Sequence, residues 1–253
     1  MKHPSLRGRL ALREKPIDRI AIMYQKWRDL LFLHWEVDPE IIQLTFPEML
    51  HTDTFEGRAY LGLTPFFVQD ARPIFTPGIP AISDFPEVNV RTYVFDNEGN
   101  PGIWFYSLDT SQALAVEAAN IFFHLPYHTS EIEAHQGIEG ITFSCRRKED
   151  DVAVPRSTFR YKYSGEEFFA ESKTLDFFLI ERYLIFSKDK ETGQLYSGRV
   201  HHRPYPIYRA EVPEYDLNLL ALNGFELEGR PADHQVYSTG VDVEVYTLDK
   251  VIF

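Results

Sequence analysis

The stretch Glu87-Val88-Asn89-Val90-Arg91-Thr92-Tyr93-Val94-Phe95, followed by Asp96-Asn97-Glu98-Gly99-Asn100-Pro101-Gly102 and then Ile103-Trp104-Phe105-Tyr106-Ser107-Leu108, decides the fold class. Two segments rich in β-branched and aromatic residues flank a dense cluster of turn residues, which predicts a hairpin. Side chains alternate along a strand, so Glu87, Asn89 and Arg91 share one face and Val88, Val90 and Thr92 share the other. A polar face on such a strand is either solvated or lines a polar cavity. The return strand is apolar on both faces, as in a covered sheet. Under a covered sheet Glu87 and Arg91 must be paired or face a ligand, because lone buried charges are costly.

Outward from the hairpin, strand patterns cover Trp27–Val37, Ala59–Phe67, Gly140–Arg146, Ser157–Tyr163, Leu195–His202, Tyr205–Pro213 and Gln235–Asp249. Three helices are expected. Thr110 or Ser111 caps one whose apolar face is Ala113, Leu114, Ala118, Ile121, Phe122 and Leu125, with Pro126 as its stop. Asp38-Pro39-Glu40 starts a second, ending before Pro47. Thr174 caps a third over Leu175–Phe186, although Phe177-Phe178-Leu179-Ile180 also suits a buried strand. The proline-rich stretch from Arg72 to Pro80 reads as a surface loop. Few helices among many strands point to an α+β, barrel-like fold in one domain, 1–253, with residues 1–20 as an N-terminal extension.

Composition bounds the function. The chain has 253 residues, 44% of them hydrophobic and 25% charged, with a net charge of −12. No lysine or arginine run forms a basic patch, so neither nucleic acid nor an anionic membrane surface is an expected partner. The single cysteine, Cys145, excludes an internal disulfide framework and reads as a small buried hydrophobe. Lys2, Arg7, Arg9, Arg13 and Lys15 precede no apolar signal core, and no run is long enough to span a membrane, so a cytoplasmic protein is expected. Nucleotide-binding, serine-hydrolase and zinc-protease motifs are absent. His124 and His128 are separated by Pro126, and His201 and His202 point to opposite strand faces, so neither pair suits a metal. Neither metal nor cofactor is expected.

The remaining candidates each carry two readings. Arg28 precedes the apolar run Leu30-Leu31-Phe32-Leu33, interrupted by His34, and either pairs structurally or clamps a carboxylate through its planar fork. Glu181-Arg182 lies inside an apolar stretch and reads as a structural ion pair. His201 and His202 precede Pro204, either at a strand-end turn or lining a site. Tyr127 and His128 follow Pro126 where function often sits.

The runs Trp27-Arg28-Asp29-Leu30-Leu31-Phe32-Leu33-His34-Trp35, Asn89-Val90-Arg91-Thr92-Tyr93-Val94, Pro101 through Asp109, and Leu125-Pro126-Tyr127 resemble the YqjF-like family, a bacterial family of unknown function. The resemblance extends from about Trp27 to His202. That family is in turn distantly similar to acetoacetate decarboxylase. The resemblance implies an α+β fold, a β-barrel or cone of mostly antiparallel strands with an internal cavity, in a homo-oligomer. It implies that Arg28 matches the decarboxylase's substrate-carboxylate arginine and Glu87 its active-site glutamate. Pro126-Tyr127-His128 falls where the decarboxylase has Pro-Lys-Lys, including the Schiff-base lysine. Tyr127 and His128 cannot form an imine, and no lysine lies between Lys26 and Lys148.

The expected function is therefore a pocket for a small anionic molecule, a carboxylate or keto acid. Arg28, Arg91 and His201 would bind it, and Glu87, Tyr127 and His128 would supply general acid–base chemistry without an imine. A non-catalytic ligand-binding module and an interaction protein with a vestigial pocket are the rival readings. Whether Arg28 and Arg91 pair with Glu87 or Glu181, or instead face a ligand, separates them.

Overall fold

The hairpin forms as its alternation requires. In a computed structural model describing residues 1–112, 123–148, 154–227 and 229–252, β4 (Phe85–Phe95) pairs antiparallel with β5 (Pro101–Thr110). Around it the chain runs α1 (Leu6–Arg13), β1 (Met23–Val37), α2 (Pro39–Gln43), β2 (His51–Thr52), β3 (Ala59–Pro73) and α3 (Pro80–Ser83) before the hairpin. After it come β6 (Tyr127–Gly137), β7 (Gly140–Arg147), β8 (Ser157–Phe168), α4 (Leu175–Ile180), β9 (Leu184–Lys188), β10 (Leu195–His201), β11 (Ile207–Tyr215), α5 (Asn218–Leu222) and β12 (His234–Lys250). The strands form one twelve-stranded sheet in the order β10-β9-β5-β6-β7-β8-β11-β12-β1-β3-β4-β2.

Two further pairings, β10 with β12 and β4 with β5, turn this sheet back on itself. It forks rather than closing as a plain barrel. One edge of β5 takes β9 at 103–104 and β6 at 108–110, both parallel. One edge of β12 takes β11 at 236–238 and β10 at 244–250. The result is an α+β, cone-like fold of mostly antiparallel strands. Between the two branches, β12 residues 240–244 border an open groove.

The spine of the cone is β1, antiparallel to both β12 and β3. Its run from Leu30 to Trp35 is buried on both faces, which is why it reads as nearly continuous apolar sequence. Leu30 and Phe32 join one core cluster, and Leu31, Leu33 and Trp35 join the other. The switch is made at Asp29, whose φ of 53° is left-handed and sits in a register shift between β1 and β3. Such a bulge re-aims every side chain beyond it. Opposite Arg28 stands Gly240, with φ 120°. A Cβ there would lie 2.0 Å from the Trp27 carbonyl oxygen, so only glycine lets the two strands approach.

Several expectations are corrected. The helix expected over Leu175–Phe186 stops at Ile180, because Glu181 leaves helical geometry (φ −82°, ψ 78°), and 184–188 is strand β9. The segment after Pro126 is a strand, β6, not merely a helix end. The strand expected from Tyr205 begins at Ile207 and continues to Tyr215. The helix expected after Thr110 falls on 113–122, outside the described residues. Asp38 caps α2 (2.8 Å to the Glu40 amide) and Thr174 caps α4 (3.3 Å to the Phe177 amide), as their types predict. Among the described residues, no helix is long and apolar enough to cross a membrane.

Gly240→Ala combines a disfavoured φ with a backbone clash and is expected to cost on the order of 3 kcal/mol. Chemical denaturation would register this as a lower midpoint. An unchanged midpoint would show that the bulge relaxes freely.

Candidate functional site

Inside the cone lies a cavity of about 320 Å³. The polar face of β4 supplies Glu87, Asn89 and Arg91 to its wall, so this face is lined rather than solvated. Before the Asp29 bulge β1 contributes Gln25 and Trp27, and after it Leu30. Tyr127 enters from the first residue of β6, and Arg182 from the turn between α4 and β9.

Glu87 is buried and accepts a 2.9 Å hydrogen bond from the Tyr127 hydroxyl at Oε2. Burial pushes its carboxyl up to about 8, with Asp109 adding to the rise and the Tyr127 hydrogen bond opposing it. Glu87 is therefore protonated at neutral pH. Tyr127 is raised well above the ordinary phenol value by burial and by Glu87. Asp109, which acts on Glu87, is clamped by Arg147 through two 2.7 Å bonds and by Ser130 at 2.8 Å.

Arg91 is buried, and its Nε and Nη2 atoms have no hydrogen-bond partner among the described residues. Its guanidinium carbon stands 5.2 Å from the Phe32 ring centre and 5.9 Å from that of Tyr93. Gly62 makes room for it, since a Cβ there would lie 3.2 Å from Arg91 Cγ. Arg182 donates from Nε to the Phe178 carbonyl (2.6 Å) and from Nη1 to Asp53 (2.6 Å), leaving Nη2 unpartnered. Burial lowers Arg182 to about 10 against the pull of Asp53, so it stays cationic at neutral pH. Among the described residues ten buried side-chain atoms lack a partner, and seven belong to residues that line this cavity, Thr64, Asn89, Arg91, Arg182, Ser187 and Arg199. Unpartnered buried polar atoms are scarce in folded proteins, and here most of them fall on the residues around one cavity.

A hydrogen-bond chain backs the arginine end. Asp176 Oδ1 lies 2.8 Å from His234 Nε2, His234 Nδ1 lies 2.9 Å from His34 Nδ1, and His34 Nε2 lies 2.7 Å from the Tyr93 hydroxyl. Beyond it, the Arg91 guanidinium acts on the Tyr93 phenol. Arg91 can only donate, and an ionised Asp176 can only accept. One arrangement satisfies both ends: Tyr93 donates to His34, His34 through Nδ1–H to His234, and His234 through Nε2–H to Asp176. Complete burial pushes His34 well below its ordinary value, with His234, Arg91 and Arg182 adding to the fall.

The structure brings Glu87, Arg91 and Tyr127 together and leaves the other candidates outside. Arg28 precedes the bulge on the face opposite Trp27. It binds Asp242 (2.5 Å) and the Val241 carbonyl (2.8 Å) at the open groove. Its partner is thus Asp242, neither Glu87 nor Glu181, and it does not reach the cavity. His201 also borders that groove. His128 is next to Tyr127 on β6, hence on the opposite face, in register with Asp109. His202 is buried, stacked on Tyr183 and tilted against Tyr205, and pushed down to about 4 chiefly by burial. Glu181 and Arg182 do not pair with each other. Glu181 accepts from the Tyr183 hydroxyl and the Tyr205 amide, while Arg182 turns to Asp53 and the cavity. Arg182, Tyr205 and the His34–His234 chain were not among the expected site residues. The one local hint was a histidine inside the apolar run of β1. Among the described residues no lysine lines the cavity, and no three His, Cys, Asp or Glu side chains are grouped to hold a metal.

Comparison with known proteins places this geometry in context. The DUF2071 family, described as an uncharacterized conserved protein, matches residues 24–242. The uncharacterized protein YqjF of Bacillus subtilis (strain 168) is 37% identical over 235 residues, 92% of this chain and 94% of the relative. Among solved structures, acetoacetate decarboxylase from Legionella pneumophila aligns with a TM-score of 0.61 at 12% identity, over 94% of this chain and 91% of the other. An acetoacetate decarboxylase-like enzyme from Sphingomonas wittichii RW1 gives 0.60 at 12% identity, over 92% and 94%. The enduracididine biosynthesis enzyme MppR complexed with pyruvate gives 0.56 at 10% identity, over 91% of each chain. These likenesses establish a common fold.

Because the Glu87 carboxyl lies near 8 in the folded chain against about 4.5 in an ordinary carboxyl, its stabilising contribution is complete below pH 4.5 and is lost as pH rises through 8. Glu87→Gln, which keeps the shape and cannot ionise, is expected to gain on wild type across that window, by on the order of 4 kcal/mol at pH 9. Stability measured at pH 5, 7 and 9 reads this directly. A pH-independent difference would place the Glu87 pKa in the ordinary carboxylate range.

Proposed function

The chain belongs to the DUF2071 family, and from the fold it shares with acetoacetate decarboxylase-like proteins we propose that it binds a small carboxylate in the cavity and offers that ligand acid–base chemistry without an imine. The carrying observation is the group of unpartnered atoms on the residues that form the cavity wall, four of which are guanidinium nitrogens of Arg91, Arg182 and Arg199. Guanidinium groups only donate, they remain charged, and their planar fork matches a carboxylate. A buried cation without an acidic partner is costly until an anion neutralises it. Arg91 is such a cation. MppR, on the same fold, is solved with the keto acid pyruvate, which agrees with this ligand class.

Imine chemistry needs an amine nucleophile, and the cavity offers none: no lysine lines it among the described residues, and the sequence holds none between Lys26 and Lys148. Glu87 supplies the alternative. Its protonated carboxyl can give a proton to a carbonyl or enolate oxygen, and Tyr127 hydrogen-bonds the carboxylate that remains. A pKa near 8 keeps both protonation states within reach around neutral pH. The same wall also serves a module that only holds its ligand, and turnover separates these two readings.

A thermal-shift screen with small carboxylates and keto acids tests the proposal. At a concentration of about 100 times its Kd a ligand adds roughly 2.7 kcal/mol, or about 5–10 °C in a chain of this size. Arg91→Gln is expected to lose the shift, and Arg28→Ala to keep it. A shift that survives Arg91→Gln, or no shift with any carboxylate on folded protein, defeats the carboxylate pocket. With a ligand in hand, buffer-beating proton–deuterium exchange that disappears in Glu87→Gln indicates acid–base chemistry. Binding without exchange indicates the holding module.

A further inference from the structure

The polar atoms of the cavity fall at two separated poles. On β4, Glu87 and Arg91 are four residues apart on one face, and four residues of strand span roughly 13 Å. The Arg91 side chain passes over Gly62 between Phe32 and Tyr93, and the Arg182 guanidinium also packs over the Tyr93 ring, 4.9 Å from its centre. This is a cationic pole with three unpartnered guanidinium nitrogens, two on Arg91 and one on Arg182. At the other end, Glu87 is hydrogen-bonded by Tyr127, and the charge that acts on it is that of Asp109. This is a neutral pole of hydroxyl-type donors. The wall between them is mostly apolar, with Leu30, Phe66, Phe105, Leu108 and Ile180 facing the space and Asn89 as a single polar step. The volume, about 320 Å³, equals that of some ten waters.

A short keto acid does not match this layout. Its carbonyl sits one or two bonds from its carboxylate, so an acid seated on the arginines cannot also reach Glu87. It would leave most of the apolar wall uncovered. Resting on the carboxylate reading above, we propose that the cavity selects an elongated, two-headed ligand. Its carboxylate lies on Arg91 and Arg182, an apolar chain or ring crosses the middle, and a carbonyl or hydroxyl oxygen at the far end is hydrogen-bonded by Glu87, whose carboxyl Tyr127 holds in place. The substrate class is a hydrophobic carboxylic acid oxygenated at its distal end. Glu87 then acts on that distal oxygen, remote from the carboxylate.

The test titrates the whole protein with pyruvate, octanoate, terminally hydroxylated octanoate and octanol, reading Kd by calorimetry in wild type, Arg91→Gln, Glu87→Leu and Tyr127→Phe. The hydroxylated acid is expected to bind at least about tenfold more tightly than octanoate, the margin of one well-made buried hydrogen bond. Glu87→Leu and Tyr127→Phe should each erase that margin while retaining octanoate binding, and Arg91→Gln should abolish binding of both acids. Retained octanoate binding also shows that the first two variants are folded. Equal affinity for octanoate and its hydroxylated form overturns the two-headed ligand and leaves the carboxylate pocket standing. Tightest binding by pyruvate does the same. Octanol binding as tightly as octanoate, or no acid binding at all, overturns the carboxylate reading itself.

Discussion

Everything at the centre of this molecule depends on a change of parity in one strand. Strand β1 enters the cone with Gln25 and Trp27 facing the cavity. The left-handed residue Asp29 inserts a bulge, and from there Leu30 and Phe32 take the inner face. His34, two residues further on, shares that face. Tyr237 donates to the Asp29 carboxylate and Tyr161 to its carbonyl oxygen (3.0 Å), so the bulge is held by its own hydrogen bonds. Without the switch, Leu31, Leu33 and Trp35 would point inward, and the histidine that backs Arg91 would sit on the wrong side of the sheet. The local restraint is Gly240, 212 residues further along the chain by number, which permits the close strand approach opposite Arg28.

That constraint explains what sequence reading could and could not reach. Polar residues at alternate positions 87, 89 and 91 announced themselves, because alternation is local and the return strand was apolar on both faces. Their assignment to a lined face rather than a solvated one follows from strands that cover them. Arg28 was misplaced for the opposite reason. Its likeness to a substrate-binding arginine is a matter of sequence order, while the face it occupies is decided by a bulge that nothing nearby in sequence signals. Asp tolerates left-handed backbone but does not demand it. The Glu181-Arg182 pair misled in a similar way. Adjacent opposite charges suggest a mutual bond, yet leaving the helix at Glu181 turns the two side chains apart. The carboxylate that Arg182 binds, Asp53, lies 129 positions away.

The two arginines of the cavity have different standing. Arg182 shares Asp53 with Arg9, so its charge is largely met within the fold. Arg91 has no carboxylate partner and relies on aromatic faces and a polarised phenol. A cation kept buried in this way works against stability, as functional groups often do. The forked sheet makes the arrangement tenable. Its two branches enclose the cavity, while the groove between them carries the paired charges of Arg28 and Asp242 outside it.

The chain from Tyr93 to Asp176 has a consequence of its own. With Asp176 as the acceptor, each of its bonds points outward, from the Tyr93 hydroxyl inside to a carboxylate near the surface. It therefore behaves as a poled line of dipoles that stores orientation rather than charge. Its inner end is the Tyr93 oxygen, whose lone pairs are left for the arginine end of the cavity, so the histidines set the orientation of a dipole that they do not themselves bring into the cavity.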